Sequence, residues 1–283
     1  MSAGGTMEPI AVSVPPRTLM TDLRAIRIVW LRDMIRFWHD KPRIIASALQ
    51  PMLYLFVFGT GMGAGMRPTA EIDLRVFLFP GVMAMATLFT CFFSAGSIVW
   101  DREFGFMREM LVAPVRRSAI VIGKALGGAT TGMFQGVTVL AVGALVGVPY
   151  SISMVLILLG ELAILSFAIT SIGVLVAVKI KSFQAFMAMV QIIIMPMFFL
   201  SGALFPLRGL PTWLAVLTRF DPLTYAVDPM RRQVLSQVAG TDSASFGVSW
   251  SGWTVPIALE LGIVLATGVI ALALASRAFS KIE

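Results

Sequence analysis

The stretch that decides the fold is VFLFPGVMAMATLFTCFFSAGSIVW, residues 76–100, which contains no charged side chain. Twenty residues of helix rise about 30 Å, the thickness of a bilayer's hydrocarbon core, so this stretch is long enough to cross a membrane. Further uncharged runs lie at 44–66, 125–160 and 182–207, and residues 243–276 contain only Glu260. The chain is therefore expected to cross a membrane several times.

The composition supports the same conclusion. Of the 283 residues, 58% are hydrophobic and 13% are charged, and the mean hydropathy is +0.88. Because about a quarter of the residues of an ordinary soluble domain are charged, these values exclude a soluble enzyme. The single cysteine, Cys91, lies inside a hydrophobic run and is interpreted as a packing residue.

We predict an all-α, polytopic membrane protein whose transmembrane domain, residues 44–283, has six spans at about 44–63, 76–99, 119–147, 152–178, 183–204 and 253–275. An even number of spans puts both termini on one side. If that side is the cytoplasm, 16 of the 22 lysines and arginines lie inside, as the positive-inside rule requires. The net charge of +7 therefore reflects topology, and no nucleic-acid partner is expected.

The segment before the first span has two predicted parts, a disordered tail at 1–17 and an amphipathic interface helix at 18–43. The helix is indicated by apolar residues at steps of three and four, namely Leu19, Leu23, Ile26, Trp30, Met34 and Phe37. Such a helix is suited to the inner membrane interface, in contact with lipid. A soluble helix that packs on another cytoplasmic protein is the alternative.

The inner connection between the second and third spans is predicted to contain a short cytoplasmic helix at 101–115. Acidic residues open it, Pro114 closes it, and Phe104, Met107 and Leu111 form one apolar stripe. An apolar edge between charged flanks is what a docking element for a separate protein needs. A plain charged connector explains the composition equally well.

The outer region at 205–251 is predicted to form re-entrant or cap helices between the fifth and sixth spans. Four prolines divide it into stretches that are too apolar for a free loop. A solvent-exposed loop would leave Trp213, Phe220 and Tyr225 in water. A packed cap is therefore expected.

No catalytic or metal-binding constellation is found in the sequence, which contains one histidine, His39, and no cluster of ligands at metal spacing. The one Gly-Lys pair, Gly123-Lys124, has Ser118 where a phosphate-binding loop needs its first glycine. The chain is not expected to be an enzyme or to bind a cofactor, and Lys124 is expected to snorkel to the inner interface.

Two carboxylates lie within predicted spans, Glu161 on the fourth and Glu260 on the sixth. An ionisable group at this depth costs several kcal/mol, so each marks either a substrate or proton pathway or a protonated or hydrogen-bonded packing residue. Gln135 and Gln191 could partner such groups, or could form hydrogen bonds between neutral side chains of neighbouring helices. In the third span, Gly128, Gly132 and Gly136 predict close backbone packing.

Two stretches resemble the signature of the ABC-2 family of exporter permeases. The first runs from Asp101-Arg102-Glu103-Phe104-Gly105 through Glu109-Met110-Leu111-Val112-Ala113-Pro114 to Gly123-Lys124-Ala125. The second runs from Phe199-Leu200-Ser201-Gly202 through Phe205-Pro206-Leu207 to Asp221-Pro222-Leu223-Thr224-Tyr225. The resemblance covers nearly the whole chain from about residue 20 and is closest to the daunorubicin-resistance and nodulation-factor export branch.

This resemblance implies the membrane subunit of an ATP-driven drug, lipid or glycoconjugate exporter in a bacterial cytoplasmic membrane. Two copies of the permease, forming a homodimer, would each dock on a separate ABC ATPase subunit that binds ATP and Mg²⁺. Segment 101–115 would act as the coupling helix. The residues expected to lie in a cleft of the ATPase are Arg102, Glu103, Gly105, Arg108, Glu109 and Leu111.

The first, second and fifth spans are predicted to line the cargo path between the two copies, because Met and Phe side chains adapt to apolar cargo of different shapes. The predicted path residues are Gln50, Met52, Phe56, Met83, Phe89, Gln191, Met195 and Phe199. The alternative is that these residues face lipid. The rival function is a proton-coupled secondary transporter that uses Glu161 and Glu260 and needs no partner.

Overall fold

The computed structural model describes residues 18–61, 73–105, 110, 115–207, 209–238, 247–250 and 253–281. Among these residues, six helices are long and apolar enough to cross a membrane. We refer to them as the first to sixth spans: Ile44–Gly61, Leu74–Glu103, Arg117–Val146, Ile152–Lys179, Phe183–Leu200 and Ile257–Ser280. The predicted all-α, six-span fold is confirmed. The predicted disordered tail at 1–17 lies outside the described residues.

The interface helix runs from Leu19 to His39 and is separate from the first span, whose helix begins at Lys41. Thr18 caps it, since its side chain accepts a hydrogen bond from the backbone N–H of Thr21. Asp40 is the C-cap of this helix, and Pro42 lies in the first turn of the next helix. The missing N–H of a proline loses no hydrogen bond there, because the first N–H groups of a helix have no partner within the helix. The interface helix is therefore a few residues shorter than the predicted 18–43.

The second span is the centre of the bundle and is buried along most of its length, packed between the third and fourth spans. Glycines of the third span allow this close approach. A Cβ atom added at Gly132 would lie 2.2 Å from Sγ of Cys91, and one at Gly128 would lie 2.4 Å from Cγ2 of Thr170. The dense packing predicted from the glycine spacing is therefore confirmed.

The first span contains a local irregularity that follows from its proline. Pro51 has no N–H, so the carbonyl of Ser47 loses its helical partner, and Gln135 of the third span replaces it with a hydrogen bond from Nε2 at 3.1 Å. Ser47 Oγ in turn donates to Gln135 Oε1 at 2.8 Å. A π-helical turn, Tyr54–Phe58, follows the proline. Gln135 thus joins two spans through neutral groups and does not partner a carboxylate.

The outer region contains two helices, Thr212–Phe220 and Thr224–Leu235, which we call the first and second cap helices. A two-stranded hairpin, Ser249–Trp250 with Trp253–Thr254, precedes the sixth span. The sixth span therefore begins at Ile257, four residues later than predicted.

Only the second cap helix fits the expectation of a packed cap. It is buried on most sides and includes Tyr225, which is 3% exposed. The first cap helix exposes Trp213 (65%) and Phe220 (82%). The expectation that these two side chains are packed within the chain is wrong, because they lie on the outward face of a short amphipathic helix, where amphipathic aromatic residues are common at membrane interfaces.

Alanine substitutions at two glycines should separate packing from helix propensity. We expect Gly132→Ala to destabilise the protein by about 1 to 3 kcal/mol, because the added methyl group overpacks the contact with Cys91. Gly160→Ala is the matched control, since a Cβ there meets nothing within 4 Å. Thermal unfolding of the purified protein in detergent measures both effects. Equal midpoints for the two variants would contradict the packing argument.

Candidate functional site

A mostly buried polar group joins the interface helix to one end of the bundle, which we call the inner end because the charge distribution predicts it to be cytoplasmic; the opposite end is called the outer end. We call this group, made of Arg32, Asp33, Ser97, Asp101 and Lys124, the inner joint. The Nζ atom of Lys124 lies 3.0 Å from Asp33 Oδ1 and 2.7 Å from Asp101 Oδ2, and it donates to Ser97 Oγ at 3.0 Å. Arg32 contacts Asp101 Oδ2 at 2.5 Å. The joint connects the interface helix with the second and third spans.

Lys124 does not snorkel to the interface, as the sequence predicted, because its side chain is only 1% exposed. A buried ammonium group is tolerated when it is paired with carboxylates and its hydrogen bonds are satisfied. Gly127, one turn along, makes room for the pair, since a Cβ there would lie 3.1 Å from Asp33. The third span therefore contacts the interface helix through Gly127, which allows close packing, and through Lys124, which forms the ion pair.

The apolar stripe predicted for the interface helix does not form one surface in contact with lipid. Met34 and Phe37 are buried, whereas Leu19 and Leu23 are exposed. Asp22 also lies on the buried face, where its Oδ1 accepts from the backbone N–H of Arg116. A second apolar stripe lies on the opposite side of the helix and consists of Met20, Ile28, Leu31, Ile35 and Trp38. One face thus binds the bundle, and the other is suited to contact with lipid.

The described part of the predicted coupling segment is anchored within the chain. Arg102 donates to the carbonyl oxygens of Ile180 (2.8 Å) and Val178 (3.1 Å) at the end of the fourth span. Glu103 Oε2 accepts from the backbone N–H of Phe183 at 2.9 Å, at the start of the fifth span. A cation at a helix C-terminus and an anion at a helix N-terminus are both favourable.

The helix of the second span extends to Glu103, so residues 101–103 of the predicted coupling helix continue a transmembrane helix. Gly105 then adopts φ of +85°, the left-handed conformation that ends a helix. The other three predicted docking residues, Arg108, Glu109 and Leu111, lie outside the described residues.

Two adjoining cavities lie at the inner side of the first and second spans. The upper cavity, about 220 Å³, is lined by predicted path residues Gln50 and Phe89. The lower cavity, about 240 Å³, contains charged side chains such as Asp33 and Arg36, and the Arg36 guanidinium lies 5.5 Å from the centroid of the Trp100 ring. Phe37 belongs to both walls. The pair therefore offers a polar mouth below an apolar interior.

The remaining predicted path residues fall into two groups. Phe56, Met195 and Phe199 are exposed on the first and fifth spans, as is Gln191, and Met52 is half-buried. Met83, in contrast, is 0% exposed and lies in the hydrophobic core of the bundle. Its assignment to the path is corrected, because the second span is enclosed by its neighbours at that position.

Gln191 lies near the middle of the fifth span, is exposed and has no hydrogen-bond partner among the described residues. An amide facing hydrocarbon without a partner costs free energy. This face of the fifth span is therefore suited to contact with protein or water rather than lipid alone.

A second group of buried charges lies at the outer end. We call Glu161, Asp228, Arg231, Arg232 and Glu260 the outer charge cluster. Arg232 of the second cap helix contacts Asp228 Oδ2 and lies 2.7 Å from Glu260 Oε1 of the sixth span. Asp228 Oδ2 also accepts from the backbone N–H of Val248 at 2.9 Å. Glu260, predicted as an intramembrane polar residue, is thus held in an ion pair that binds the cap to the bundle.

Arg231, the neighbouring cation, is 1% exposed. It donates to the carbonyl oxygens of Gly202 (2.6 Å) and Ala203 (3.2 Å) just beyond the fifth span and lies 4.3 Å from the Phe77 ring centroid. Burial lowers the pKa of Arg231 to about 10, so it remains charged at neutral pH. Glu161 of the fourth span is 2% exposed, and neither of its carboxylate oxygens has a hydrogen-bond partner in the part of the chain that the structure describes.

Six charged residues of these groups were not predicted as site residues from the sequence: Arg32, Asp33, Asp101, Asp228, Arg231 and Arg232. One signal was available, since Asp22 and Asp33 are eleven residues apart, three helical turns that place both on one face. The pairing with Lys124 was not available, because it joins residues 91 positions apart.

The fold and these features define a polytopic membrane protein with an inner interface helix and an outer cap. Residues 24–235 match the family model of the ABC-2 type transporter. The chain belongs to this family, whose members are transport permeases that normally work with an ABC ATPase.

Named relatives agree with this assignment. Nodulation protein J of Rhizobium leguminosarum bv. viciae is 28% identical over 78% of this chain and 86% of its own length. The putative transport permease ycf38 of Cyanophora paradoxa is 29% identical over 66% of each chain. The inner membrane transport permease YadH of Escherichia coli (strain K12) is 25% identical over 73% of this chain and 81% of its own length. Two of these three relatives are described as transport permeases, which fits a transport role for this chain.

Removal of the buried cation should destabilise the inner joint. We expect Lys124→Met to cost about 3 to 5 kcal/mol, because Asp33 and Asp101 lose their buried partner, and a second substitution, Asp33→Asn, to recover part of that loss. Arg116→Gln is the control, since its guanidinium is 63% exposed and an exposed pair contributes about 0 to 1 kcal/mol. Thermal unfolding in detergent measures all three. If Lys124→Met unfolded at the same temperature as the wild type, the claim that the inner joint stabilises the protein would be wrong.

Proposed function

We propose that this chain is the permease subunit of an ATP-driven ABC exporter that moves a lipophilic drug, a lipid or a glycoconjugate out of the cytoplasm or the inner leaflet. Two copies form a homodimer, and each binds a separate ATPase subunit that holds ATP and Mg²⁺. The observation that carries the proposal is the attachment of the inner connection. Residues 101–103, which lead into this connection, are bound to the third span, to the end of the fourth span and to the start of the fifth.

These attachments give a route for mechanical coupling. The end of the second span is tied to the turn between the fourth and fifth spans through Arg102 and Glu103. Through Asp101 it is also tied to Lys124 of the third span and to Arg32 of the interface helix. Displacement of the 106–114 segment by an ATPase would therefore move several helices together.

Arg102 and Glu103 act in this proposal as anchors, because their charged groups bind the chain's own backbone. The contact with the ATPase is assigned instead to Arg108, Glu109 and Leu111, with Gly105 as the point at which the helix ends. Phe104, which is 57% exposed beside the Trp100 ring, adds an apolar contact.

The cargo path is assigned to the faces of the first and fifth spans in the dimer, together with the two inner cavities. Gln191, Met195 and Phe199 lie on the exposed face of the fifth span. A second copy that covers this face would satisfy the amide of Gln191 or enclose it in a wet cavity. The polar mouth at Arg36 and the apolar cavity at Phe89 suit an amphipathic molecule that enters from the inner leaflet.

The orientation follows from the positive charges. Both termini, the interface helix and the inner joint are placed in the cytoplasm, where 16 of the 22 lysines and arginines then lie. The membrane is assigned as a bacterial cytoplasmic membrane. The rival function, secondary transport by Glu161 and Glu260, is disfavoured because Glu260 is paired with Arg232.

Charge reversal within the coupling segment should disrupt binding of the ATPase. Arg108→Glu is expected to reduce co-purification with the partner ATPase at least tenfold and to abolish cargo-stimulated ATP hydrolysis, because it places an anion in the docking contact. Lys181→Glu makes the same charge change on an exposed inner residue outside the segment and should retain both. Pull-down from membranes and ATPase assays decide between them, and equal binding by both variants would remove the coupling assignment.

Disulfide cross-linking should test the dimer face. In a Cys91→Ala background, Met195→Cys is expected to form a disulfide between two copies in membranes, because it lies on the proposed interface. Val269→Cys, which is 52% exposed on the sixth span, should remain monomeric under the same oxidant. Non-reducing gel electrophoresis gives the result, and efficient cross-linking at residue 269 alone would place the dimer on the other side of the bundle.

A further inference from the structure

We propose that the outer charge cluster is a proton-binding site and that Glu161 carries the proton. This inference does not depend on the proposed cargo, direction or ATPase partner. It concerns a residue that the proposed transport mechanism does not use.

The environment of Glu161 is the first step. The residue is 2% exposed, and both carboxylate oxygens are buried without a hydrogen-bond partner among the described residues. An ionised carboxylate in such a place would bear the full cost of desolvation, whereas an uncharged carboxyl group bears much less. Every other carboxylate in the cluster has a cation or a backbone N–H as partner.

The position of Glu161 is the second step. The fourth and sixth spans are in close contact where Gly268 meets Ala168, since a Cβ at Gly268 would lie 2.7 Å from Cα of Ala168. Both spans begin at the outer side. Glu161 lies seven residues before Ala168, and Glu260 lies eight before Gly268, so each is about two turns further out. The two carboxyl groups are therefore at the same level of the bundle and within electrostatic range of each other.

The charge balance is the third step. The cluster contains three acidic groups and two guanidinium groups, so full ionisation would leave one uncompensated negative charge in a buried place. One oxygen of Asp228, one of Glu260 and the Nε atom of Arg231 also lack a hydrogen-bond partner among the described residues. Arg231 donates to two backbone carbonyls, and Arg232 donates to Asp228, Glu260 and the carbonyl of Val255, so neither guanidinium group is bonded to Glu161. One proton makes the cluster neutral.

Among the residues that the structure describes, the helices around Glu161 supply no other counter-charge. The third span is uncharged from Ala125 to its outer end, Lys124 is held in the inner joint, and the second span has Arg75 at its outer end, beside Gly59. From the second cap helix, Tyr225 interacts with Glu260 but bears no positive charge. Glu161 is the member of the cluster without any partner, and the proton is therefore assigned to it.

The test is the pH dependence of thermal stability for the full chain in lipid nanodiscs. The folded protein would hold a proton that the unfolded chain releases at neutral pH, so a rise in pH favours unfolding, by up to about tenfold in the equilibrium constant per pH unit. The unfolding temperature of the wild type should decrease as the pH is raised from 6 to 9. Glu161→Gln, which mimics the protonated group, should have a smaller slope than the wild type over that range.

Three further measurements complete the design. Glu103→Gln, a control outside the cluster, should keep the wild-type slope, and Glu161→Leu should flatten it as Glu161→Gln does. The infrared band of an uncharged carboxyl group should be present in the wild type at neutral pH and reduced in both Glu161 variants. Replacement of N-methylglucamine by Na⁺ in the buffer should not change the midpoint.

Two results would overturn the proposal. Parallel pH profiles for the wild type and the Glu161 variants, with an unchanged infrared band, would show that Glu161 holds no proton. A wild-type midpoint that rises with Na⁺ at high pH would show that the cluster binds a metal cation instead.

Discussion

The buried ammonium group of Lys124 constrains the inner half of the molecule. It is nearly inaccessible to solvent, so it must have carboxylate partners, and the two that it has come from different elements: Asp33 from the interface helix and Asp101 from the second span. The position of the interface helix is therefore fixed by charge as well as by apolar packing. Because Asp101 is followed directly by Arg102 and Glu103, the same constraint determines where the connection between the second and third spans leaves the bundle.

The outer end is also held by buried ion pairs, but there the origin of the charges is reversed. There the cations, Arg231 and Arg232, come from the cap, and the acids Glu161 and Glu260 come from the spans. Between the two ends the bundle is held by apolar packing, glycine contacts and neutral hydrogen bonds such as that between Gln135 and Ser47. Ion pairs thus attach the interface helix and the second cap helix to the bundle, whereas packing holds the spans against one another.

The sequence alone could predict the features that depend on local pattern. Uncharged runs predicted the six spans, and the glycine spacing predicted the close packing of the third span. The features that depend on long-range partners could not be predicted. Lys124 was placed at the interface because its partner Asp33 is 91 residues away, and Met83 was placed on the path because the enclosure of the second span is a property of the whole bundle. The lack of a hydrogen-bond partner for Glu161 among the described residues could likewise be recognised only in the folded structure.

The distribution of packing also indicates which parts of the bundle can move. The second, third, fourth and sixth spans are in close contact along their lengths, with glycines at several of the crossings. The first and fifth spans make few close contacts with the other spans, and they are held by a few polar links: Gln135 to Ser47 for the first, and Glu103 to Phe183 for the fifth. A displacement of the inner connection would act directly on the second of these links. Because a loosely packed helix costs less to shift than one embedded in a core, we expect conformational change to concentrate in the two spans that are assigned to the cargo path.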